Sequence, residues 1–251
     1  SAASDVYKRQ HHNGVLMLSD AVRFLNSMNT PAGHEPTDKM PRRGLTISPD
    51  ERTFFLTERP TRADLTKLLA PNAFWEEMAE HPDYDEWWRA RDTRRACYNI
   101  RPAMLVVGGT FDAEDCYGAW NLYKAVLRQS ARTPLHLVVG PWAHGAWRGD
   151  GRTLGDFDFG EEASGAYYME HFEAPFFDCY LWARDTVDRL PPVAAFSSGD
   201  NRWHTFGRWT PSEARKLTLY LADGGRITTE KPTVKNSSTS YTSDPADPVP
   251  Y

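Results

Sequence analysis

Two short apolar runs that end in glycine constrain the fold of this chain more than any other feature. They occupy residues 103–109 and 135–140. Continuous apolar runs of this length are typical of strands buried on both faces, as in a parallel sheet. Apolar residues recur at helical spacing between them, from about residue 114 to residue 129. The pattern therefore predicts a strand–helix–strand unit with parallel strands and a right-handed crossover.

The segments on either side of this unit have different compositions. Residues 1–10 read SAASDVYKRQ, show no periodicity, and are interpreted as a foreign or mis-assembled leader. Residues 11–98 are polar, rich in Trp and Arg, and carry no pattern of a strand that could start a sheet. After residue 191, short strand-like pieces beginning with 193–196 alternate with turn signals, which is typical of an antiparallel β-sandwich. Further helices are predicted over residues 15–28, 64–69, 72–80 (with Asn72 as N-cap), 85–95 and 163–184.

Asp112 and His144 stand out because of where they lie relative to the two predicted strands. Asp112 comes three residues after Gly109, and His144 comes four residues after Gly140. Since the C-terminal ends of parallel strands form the functional edge of an open sheet, these side chains can meet there. The carboxylate would then orient the imidazole while the imidazole takes a proton from a serine. Either residue alone could be structural, because an aspartate before a helix is often only an N-cap.

The serine that this arrangement needs is not visible in the chain. In α/β-hydrolases the order is Ser, Asp, His, and the serine lies in a Gly-x-Ser-x-Gly turn between a strand and a helix. No such motif occurs in the 251 residues, and neither Ser164 nor Ser198 directly follows the glycine of a buried strand. We therefore expect the nucleophile to lie outside this chain, and the chain alone not to turn over substrate.

The residues around both positions carry a family resemblance. The stretches GGTFDAEDCYGAWNLYKA and LHLVVGPWAHGAW resemble the cocaine esterase and X-Pro dipeptidyl-peptidase superfamily, with the α-amino acid ester hydrolase and glutaryl-cephalosporin acylase branch most similar. The resemblance implies that Asp112 is the triad acid and His144 the triad base. Thr110 and Cys116 depart from the usual family pattern, but neither is a triad position.

The resemblance covers most of residues 11–251 and implies an α/β fold with a defined organisation. Residues 11–98 resemble a helical cap, and residues 99–190 resemble the C-terminal part of an α/β-hydrolase domain. Residues 191–251 resemble the start of a C-terminal jelly roll, a β-sandwich, that is truncated here.

Glu114 and Asp115 are the candidate substrate-binding residues. In α-amino acid ester hydrolases, carboxylates two and three residues after the triad aspartate help to bind the ammonium group of the substrate. Glu114 and Asp115 occupy those positions. The alternative is that acidic residues at the start of a helix only complement its dipole, which contributes roughly 0.3–1 kcal/mol.

The resemblance implies a serine hydrolase that acts on α-amino acyl esters, β-lactam amides or short peptides through an acyl-enzyme. Two alternatives stay open. One is a general esterase or X-Pro dipeptidyl-peptidase that does not recognise an ammonium group. The other is a non-catalytic β-sandwich binding protein, in which Trp203 or Trp209 could stack on a sugar.

Composition limits the partners. The net charge of −5 and the pI of about 5.9 argue against a nucleic-acid or anionic-membrane binder. No apolar run approaches the roughly 18–20 residues needed to span a bilayer. The expected partner is a small-molecule ester, amide or peptide, and homo-oligomerisation stays open.

No cofactor is expected. Asp112, Glu114, Asp115 and His144 could be considered as metal ligands, but no metal is expected either, because no second histidine is paired with His144 at helical spacing. The three cysteines have no metal-type spacing and do not fix the compartment. The resemblance is compatible with a periplasmic or secreted protein.

Overall fold

A computed structural model describes residues 11–12, 15–27, 51–58, 60–69, 72–182, 190–234, 238, 240–244 and 246–247. The chain divides into two compact units, one of Ser1–Thr46 and Pro60–Trp209, the other of Ile47–Arg59 and Thr210–Tyr251. The first unit holds a mixed α/β fold, as the sequence predicts. The predicted leader, residues 1–10, lies outside the described residues.

Helices dominate the described residues before the sheet. The elements in chain order are β1 (His11–His12), β2 (Val15–Leu16), α1 (Leu18–Ser27), α2 (Glu51–Glu58, in the second unit), α3 (Arg62–Leu69), α4 (Ala73–Glu80), α5 (Glu86–Arg91) and a 3₁₀ turn (Thr93–Ala96). The Asn72 side chain accepts a hydrogen bond of 3.0 Å from the Trp75 amide, so the predicted N-cap is confirmed. No strand was predicted in residues 11–98. This prediction is wrong in one detail, because β1 and β2, each two residues long, pair in the antiparallel direction.

A four-stranded sheet forms the centre of the first unit. Its strands are β3 (Met104–Gly109), β4 (Leu135–Gly140), β7 (Val193–Ser197) and β8 (Arg202–Phe206), in that order. Strands β3, β4 and β7 are parallel, and β8 pairs with β7 in the antiparallel direction. Helix α6 (Cys116–Gln129) connects β3 to β4. The predicted strand–helix–strand unit with parallel strands is therefore confirmed.

The strand at 193–196 was predicted to open a β-sandwich, and this placement is wrong. It belongs to β7, the third parallel strand, and Val193 and Ala194 are completely buried. The amide of Leu137 on β4 donates to the Pro192 carbonyl at 3.0 Å, so the proline pair adjoins the sheet. The turn that follows leads into β8, which folds back on β7. The boundary between the units consequently lies after Trp209 and not at residue 191.

The two faces of β4 pack against different layers, because successive side chains of a strand point to opposite sides. Leu137 and Val139 face one cluster that includes Tyr123 of α6. Val138 faces a second cluster that includes Trp142 and Phe172. This burial on both faces explains why β4 is a continuous apolar run with one interruption, at His136.

The segment that covers the second face, residues 163–184, was predicted as one long aromatic helix. Its described residues form α7 (Gly165–Tyr168), a π-helical turn (Met169–Glu173) and α8 (Ala174–Trp182), so the helix is interrupted. It is preceded by β5 (Thr153–Leu154), β6 (Phe157–Asp158) and a 3₁₀ turn (Glu161–Ala163). Trp203 of β8 contacts the Phe172 ring of this layer at a centroid distance of 4.8 Å, and its indole donates to the Glu162 carbonyl. Trp209 packs on Trp120 at a centroid distance of 4.6 Å. Both tryptophans therefore pack internally, which does not favour the sugar-stacking alternative.

His136 is a buried histidine that joins β4 to its surroundings. Its Nδ1 lies 3.0 Å from the Pro191 carbonyl, and its Nε2 lies 3.0 Å from the Tyr180 hydroxyl. Burial lowers the pKa of His136 below its usual range, which favours the neutral ring. A carbonyl can only accept, so Nδ1 carries the proton and Nε2 accepts from Tyr180. His136 is thus a structural histidine, in contrast to His144.

In the second unit, β9 (Tyr220–Ala222) and β10 (Arg226–Thr228) form an antiparallel pair around the 3₁₀ turn Asp223–Gly225. Short antiparallel strands in this segment agree with the sequence pattern, and a complete jelly roll stays a prediction. None of the helices in the described ranges has the length and apolar character required to cross a bilayer.

The glycines that end β3 and β4 make room for Trp142. A Cβ atom on Gly109 would lie 2.0 Å from the Trp142 carbonyl oxygen, and one on Gly140 would lie 2.5 Å from the indole ring. Only glycine allows this close approach without displacing the backbone of the loop after β4. The loop after β4 is therefore held against the end of β3.

We expect Gly109→Ala to lower the free energy of unfolding by about 3 kcal/mol or more, because the backbone at Trp142 must shift to accept the methyl group. Gly199→Ala is the matched control, since its Cβ would lie at an ordinary 3.6 Å from Ser197 Oγ. Urea denaturation of the two variants measures the difference. Equal stability of both variants would show that the contact with Trp142 does not constrain the loop.

Candidate active site

The loops that follow β3 and β4 lie at the same edge of the sheet. Gly109 pairs with Gly140 in the parallel register, so both strands end at the same level. The Thr110 amide donates to the Gly140 carbonyl at 2.8 Å, and the Phe111 amide donates to the Trp142 carbonyl at 3.2 Å. These backbone hydrogen bonds join the two loops immediately before the predicted acid and base.

The structure brings the predicted acid and base into contact. Asp112 Oδ2 lies 3.0 Å from His144 Nδ1. The other carboxylate oxygen, Oδ1, accepts hydrogen bonds of 2.9 Å from the amides of Glu114 and Asp115. The Asp112 side chain is 0% exposed. One oxygen of this carboxylate therefore orients the imidazole while the other is fixed by the backbone at the start of α6.

This contact assigns the tautomer of His144. A carboxylate can only accept, so the proton of the neutral imidazole lies on Nδ1, and Nε2 carries the lone pair. The His144 side chain is 45% exposed, so Nε2 is accessible to a reacting group. An imidazole with this tautomer can take a proton at Nε2, and the carboxylate behind Nδ1 stabilises the cation that forms.

Glu114 and Asp115 lie near different nitrogens of the same ring. Glu114 Oε2 is 3.6 Å from His144 Nε2, and Asp115 Oδ2 is 3.3 Å from His144 Nδ1. Their side chains are 28% and 12% exposed. The structure thus gathers all four predicted site residues at one place, with three carboxylates around one imidazole.

Sequence reasoning missed the role of Trp142 and the groove beside the site. The sequence signal for the role of Trp142 is the pair of strand-ending glycines, Gly109 and Gly140, that it contacts. The groove has a volume of about 340 Å³ and adjoins the site. It is lined by Asp112, Asp115, His144, Trp147 and Arg148, together with residues of β3 and α6.

The other candidate nucleophiles near these loops have structural roles. Ser164 is buried, and its Oγ accepts a hydrogen bond of 3.2 Å from the Tyr167 amide, which caps α7. Burial raises the pKa of the Cys116 thiol, and the negative charge of Asp112 raises it further. That thiol is therefore protonated near neutral pH and lacks the thiolate character of a catalytic cysteine.

Asp112, Asp115 and His144 could also be considered as metal ligands, because one ligand atom of each lies within 4.8 Å of the others. However, Asp112 Oδ2 is engaged with His144 Nδ1, and Asp112 Oδ1 accepts two backbone hydrogen bonds. A metal ion would have to displace the carboxylate–imidazole contact. We therefore interpret the three residues as a hydrogen-bonded acid and base with a neighbouring carboxylate, and the expectation of no metal stays a prediction.

We expect Asp112→Ala to lower the free energy of unfolding by about 1–2 kcal/mol, because two amides at the start of α6 lose their acceptor. Asp112→Asn should cost much less, since its amide oxygen can still accept both bonds while its NH₂ group faces His144. Urea denaturation followed by circular dichroism separates the two variants. If Asp112→Ala were as stable as the unmodified chain, the structural role of the Asp112 carboxylate as acceptor for these amides would be refuted.

Comparisons with known proteins place this chain among esterases and peptidases. The chain is 25% identical over 188 residues to cocaine esterase from Rhodococcus sp. (strain MB1 Bresler), an alignment that covers 70% of this chain and 31% of the esterase. It superposes with a TM-score of 0.80 and 29% identity on an aminopeptidase from a marine sediment Thaumarchaeota archaeon, covering 96% of this chain and 39% of the aminopeptidase. A selenomethionine-labelled α-amino acid ester hydrolase superposes with a TM-score of 0.74 and 25% identity, covering 96% of this chain and 40% of that hydrolase.

The chain thus spans well under half of the length of each of these relatives. The model of the X-Pro dipeptidyl-peptidase (S15) family matches residues 1–146, which is more than half of the 251 residues and includes both Asp112 and His144. The resemblance noted from the two sequence stretches is confirmed, and the chain belongs to the X-Pro dipeptidyl-peptidase (S15) family of hydrolases.

Proposed function

We propose that this chain is part of a longer serine hydrolase that cleaves ester or amide bonds through an acyl-enzyme. The observation that carries the proposal is the 3.0 Å contact between the buried Asp112 carboxylate and His144 Nδ1, on loops that follow adjacent parallel strands. The names of the matching family, a peptidase, and of a relative, an esterase, support the reaction class. The nucleophilic serine and the oxyanion donors then belong to the rest of the parent protein.

The geometry fits a two-step reaction. His144 Nε2 takes the proton from the serine hydroxyl as the serine oxygen attacks the substrate carbonyl carbon. Asp112 stabilises the resulting imidazolium through Nδ1. The imidazolium then returns the proton to the leaving group, which yields the acyl-enzyme. Water activated in the same way by His144 releases the acid and regenerates the serine.

Glu114 and Asp115 support a substrate with a positive charge close to the scissile bond. Two carboxylates within 3.6 Å of the imidazole make this part of the site strongly acidic. An α-ammonium group is one atom away from the carbonyl carbon of an amino acyl ester, so it would lie beside this acidic pair. Both solved neighbours, an aminopeptidase and an α-amino acid ester hydrolase, have names that refer to amino-acid substrates. We propose α-amino acyl esters, β-lactam amides or short peptides as the substrate class.

A general esterase or X-Pro dipeptidyl-peptidase without ammonium recognition is the second candidate. It is favoured by the contacts of Glu114 and Asp115 with His144 itself, because carboxylates engaged with the base need no substrate cation. In either case, residues 11–98 are proposed to form part of a helical cap. The segment beyond Trp209 is proposed to begin a C-terminal jelly roll.

The two candidates differ in the response to neutralising the acidic pair. In the parent protein, we expect Glu114→Gln combined with Asp115→Asn to raise KM for an α-amino ester at least tenfold more than for its desamino analogue. A tenfold difference corresponds to about 1.4 kcal/mol of binding to the ammonium group. Steady-state hydrolysis of the paired esters measures it.

Asp156→Asn, which removes one exposed carboxylate of the β5–β6 turn, serves as the charge control. Equal KM changes for both esters would exclude ammonium recognition and leave the general esterase. Hydrolysis of neither ester or of a matched dipeptide amide by the unmodified parent would contradict the proposed function as a whole.

A further inference from the structure

Glu114 and Asp115 face opposite nitrogens of His144, although they are adjacent in the chain. Glu114 Oε2 lies 3.6 Å from Nε2, on the side where the serine and the substrate must meet. Asp115 Oδ2 lies 3.3 Å from Nδ1, on the side of Asp112. The two carboxylates therefore contact different nitrogens of the ring that moves the proton.

Helix capping does not explain the position of the Asp115 side chain. Asp115 is the N-cap residue of α6, but its side chain makes no capping hydrogen bond. Asp112 Oδ1 accepts the hydrogen bonds of the Glu114 and Asp115 amides instead. The Asp115 carboxylate, only 12% exposed, is turned towards the imidazole. A buried carboxylate is stabilised by a nearby cation, and His144 becomes one whenever it takes a proton.

We propose that Asp115 is a positioning residue, a second carboxylate that acts with Asp112 on the Nδ1 side of His144. This inference rests on the proposed function and assigns the ammonium contact to Glu114 alone. The single Nδ1 proton is donated to Asp112 at 3.0 Å, and Asp115 at 3.3 Å adds a charge contact from a second direction. Two carboxylates hold the ring plane and stabilise the imidazolium more than one does, because both carboxylates are largely shielded from water.

Nuclear magnetic resonance of the 251-residue chain tests the contact without any enzymatic activity. The low-field proton signal of His144 Nδ1–H reports the hydrogen bonding and charge around that nitrogen. We expect Asp115→Asn to move this signal upfield and to quicken its exchange with solvent. Asp156→Asn, the same charge change at an exposed position, should leave the signal in place. An unmoved signal in folded Asp115→Asn, with folding checked by circular dichroism, would overturn the proposal.

Kinetics of the parent protein separates positioning from substrate binding. We expect Asp115→Asn to lower kcat about tenfold for both an α-amino ester and its desamino analogue, with the ratio of their KM values unchanged. The acid limb of its kcat/KM profile should move to lower pH, because the imidazolium loses one stabilising charge. Asp115→Glu, which restores the charge, should recover part of kcat. Glu114→Gln should instead raise KM for the α-amino ester alone.

These outcomes separate the positioning role of Asp115 from the proposed serine-hydrolase function. If Asp115→Asn raised KM for the α-amino ester and left kcat unchanged, Asp115 would be an ammonium ligand and the positioning role would be refuted. If the unmodified parent hydrolysed neither ester, the proposed function would fall. The Nδ1–H signal would still decide whether Asp115 acts on His144.

Discussion

The parallel pairing of β3 and β4 is the constraint on which the rest of the structure depends. Because Gly109 and Gly140 pair in register, the loops that follow them begin at the same level of the same sheet edge. The absence of side chains on these glycines allows Trp142 to lie against both strand ends. This pairing brings Asp112 and His144, which are far apart in sequence, within hydrogen-bonding distance at the carboxyl ends of the strands, and the proposed hydrolytic function depends on that contact.

Asp112 links the sheet to both the helix and the proposed chemistry. One of its oxygens accepts hydrogen bonds from the amides of Glu114 and Asp115, in the turn that leads into α6, and the other contacts His144. The same carboxylate therefore both fixes the turn before the crossover helix and contacts the base. The alternative of a purely structural aspartate before a helix thus describes one of its two contacts. Such double use gives rigidity, because a side chain fixed by two backbone donors cannot turn away from the imidazole.

The sequence predicted correctly those strands that are buried on both faces and those motifs that depend only on neighbouring residues. The strands of residues 103–109 and 135–140, the helix between them and the Asn72 cap could all be predicted, because each depends on its own residues and immediate neighbours. Asp112 and His144 could be predicted to meet because parallel strands end at a common edge. The family resemblance added roles for Glu114 and Asp115, but not the direction of either side chain.

The predictions that proved wrong concern segments whose local sequence pattern is compatible with two different structures. The apolar strand at 193–197 follows a proline pair, and its neighbours resemble sandwich strands. Only its pairing with β4 shows that it completes the parallel sheet. The aromatic segment after residue 163 has helical spacing throughout, and the π-helical turn at Met169–Glu173 within it leaves no mark in the spacing. The opposite orientations of Glu114 and Asp115 depend on the backbone at the start of α6, which periodicity does not encode.

The central claim, that His144 is the base of a serine hydrolase, is tested most directly by covalent labelling of the parent protein. A fluorophosphonate probe should label one serine, and mass spectrometry should map it to a Gly-x-Ser-x-Gly turn upstream of this segment. His144→Ala should slow the labelling by about 10³-fold or more, as removal of the base does in other serine hydrolases. His204→Ala, which removes another histidine paired with an aspartate (Asp200, at 2.9 Å), is the matched control and should label at the normal rate. Labelling of the serine at an unchanged rate in His144→Ala, or no labelled serine at all, would contradict the account.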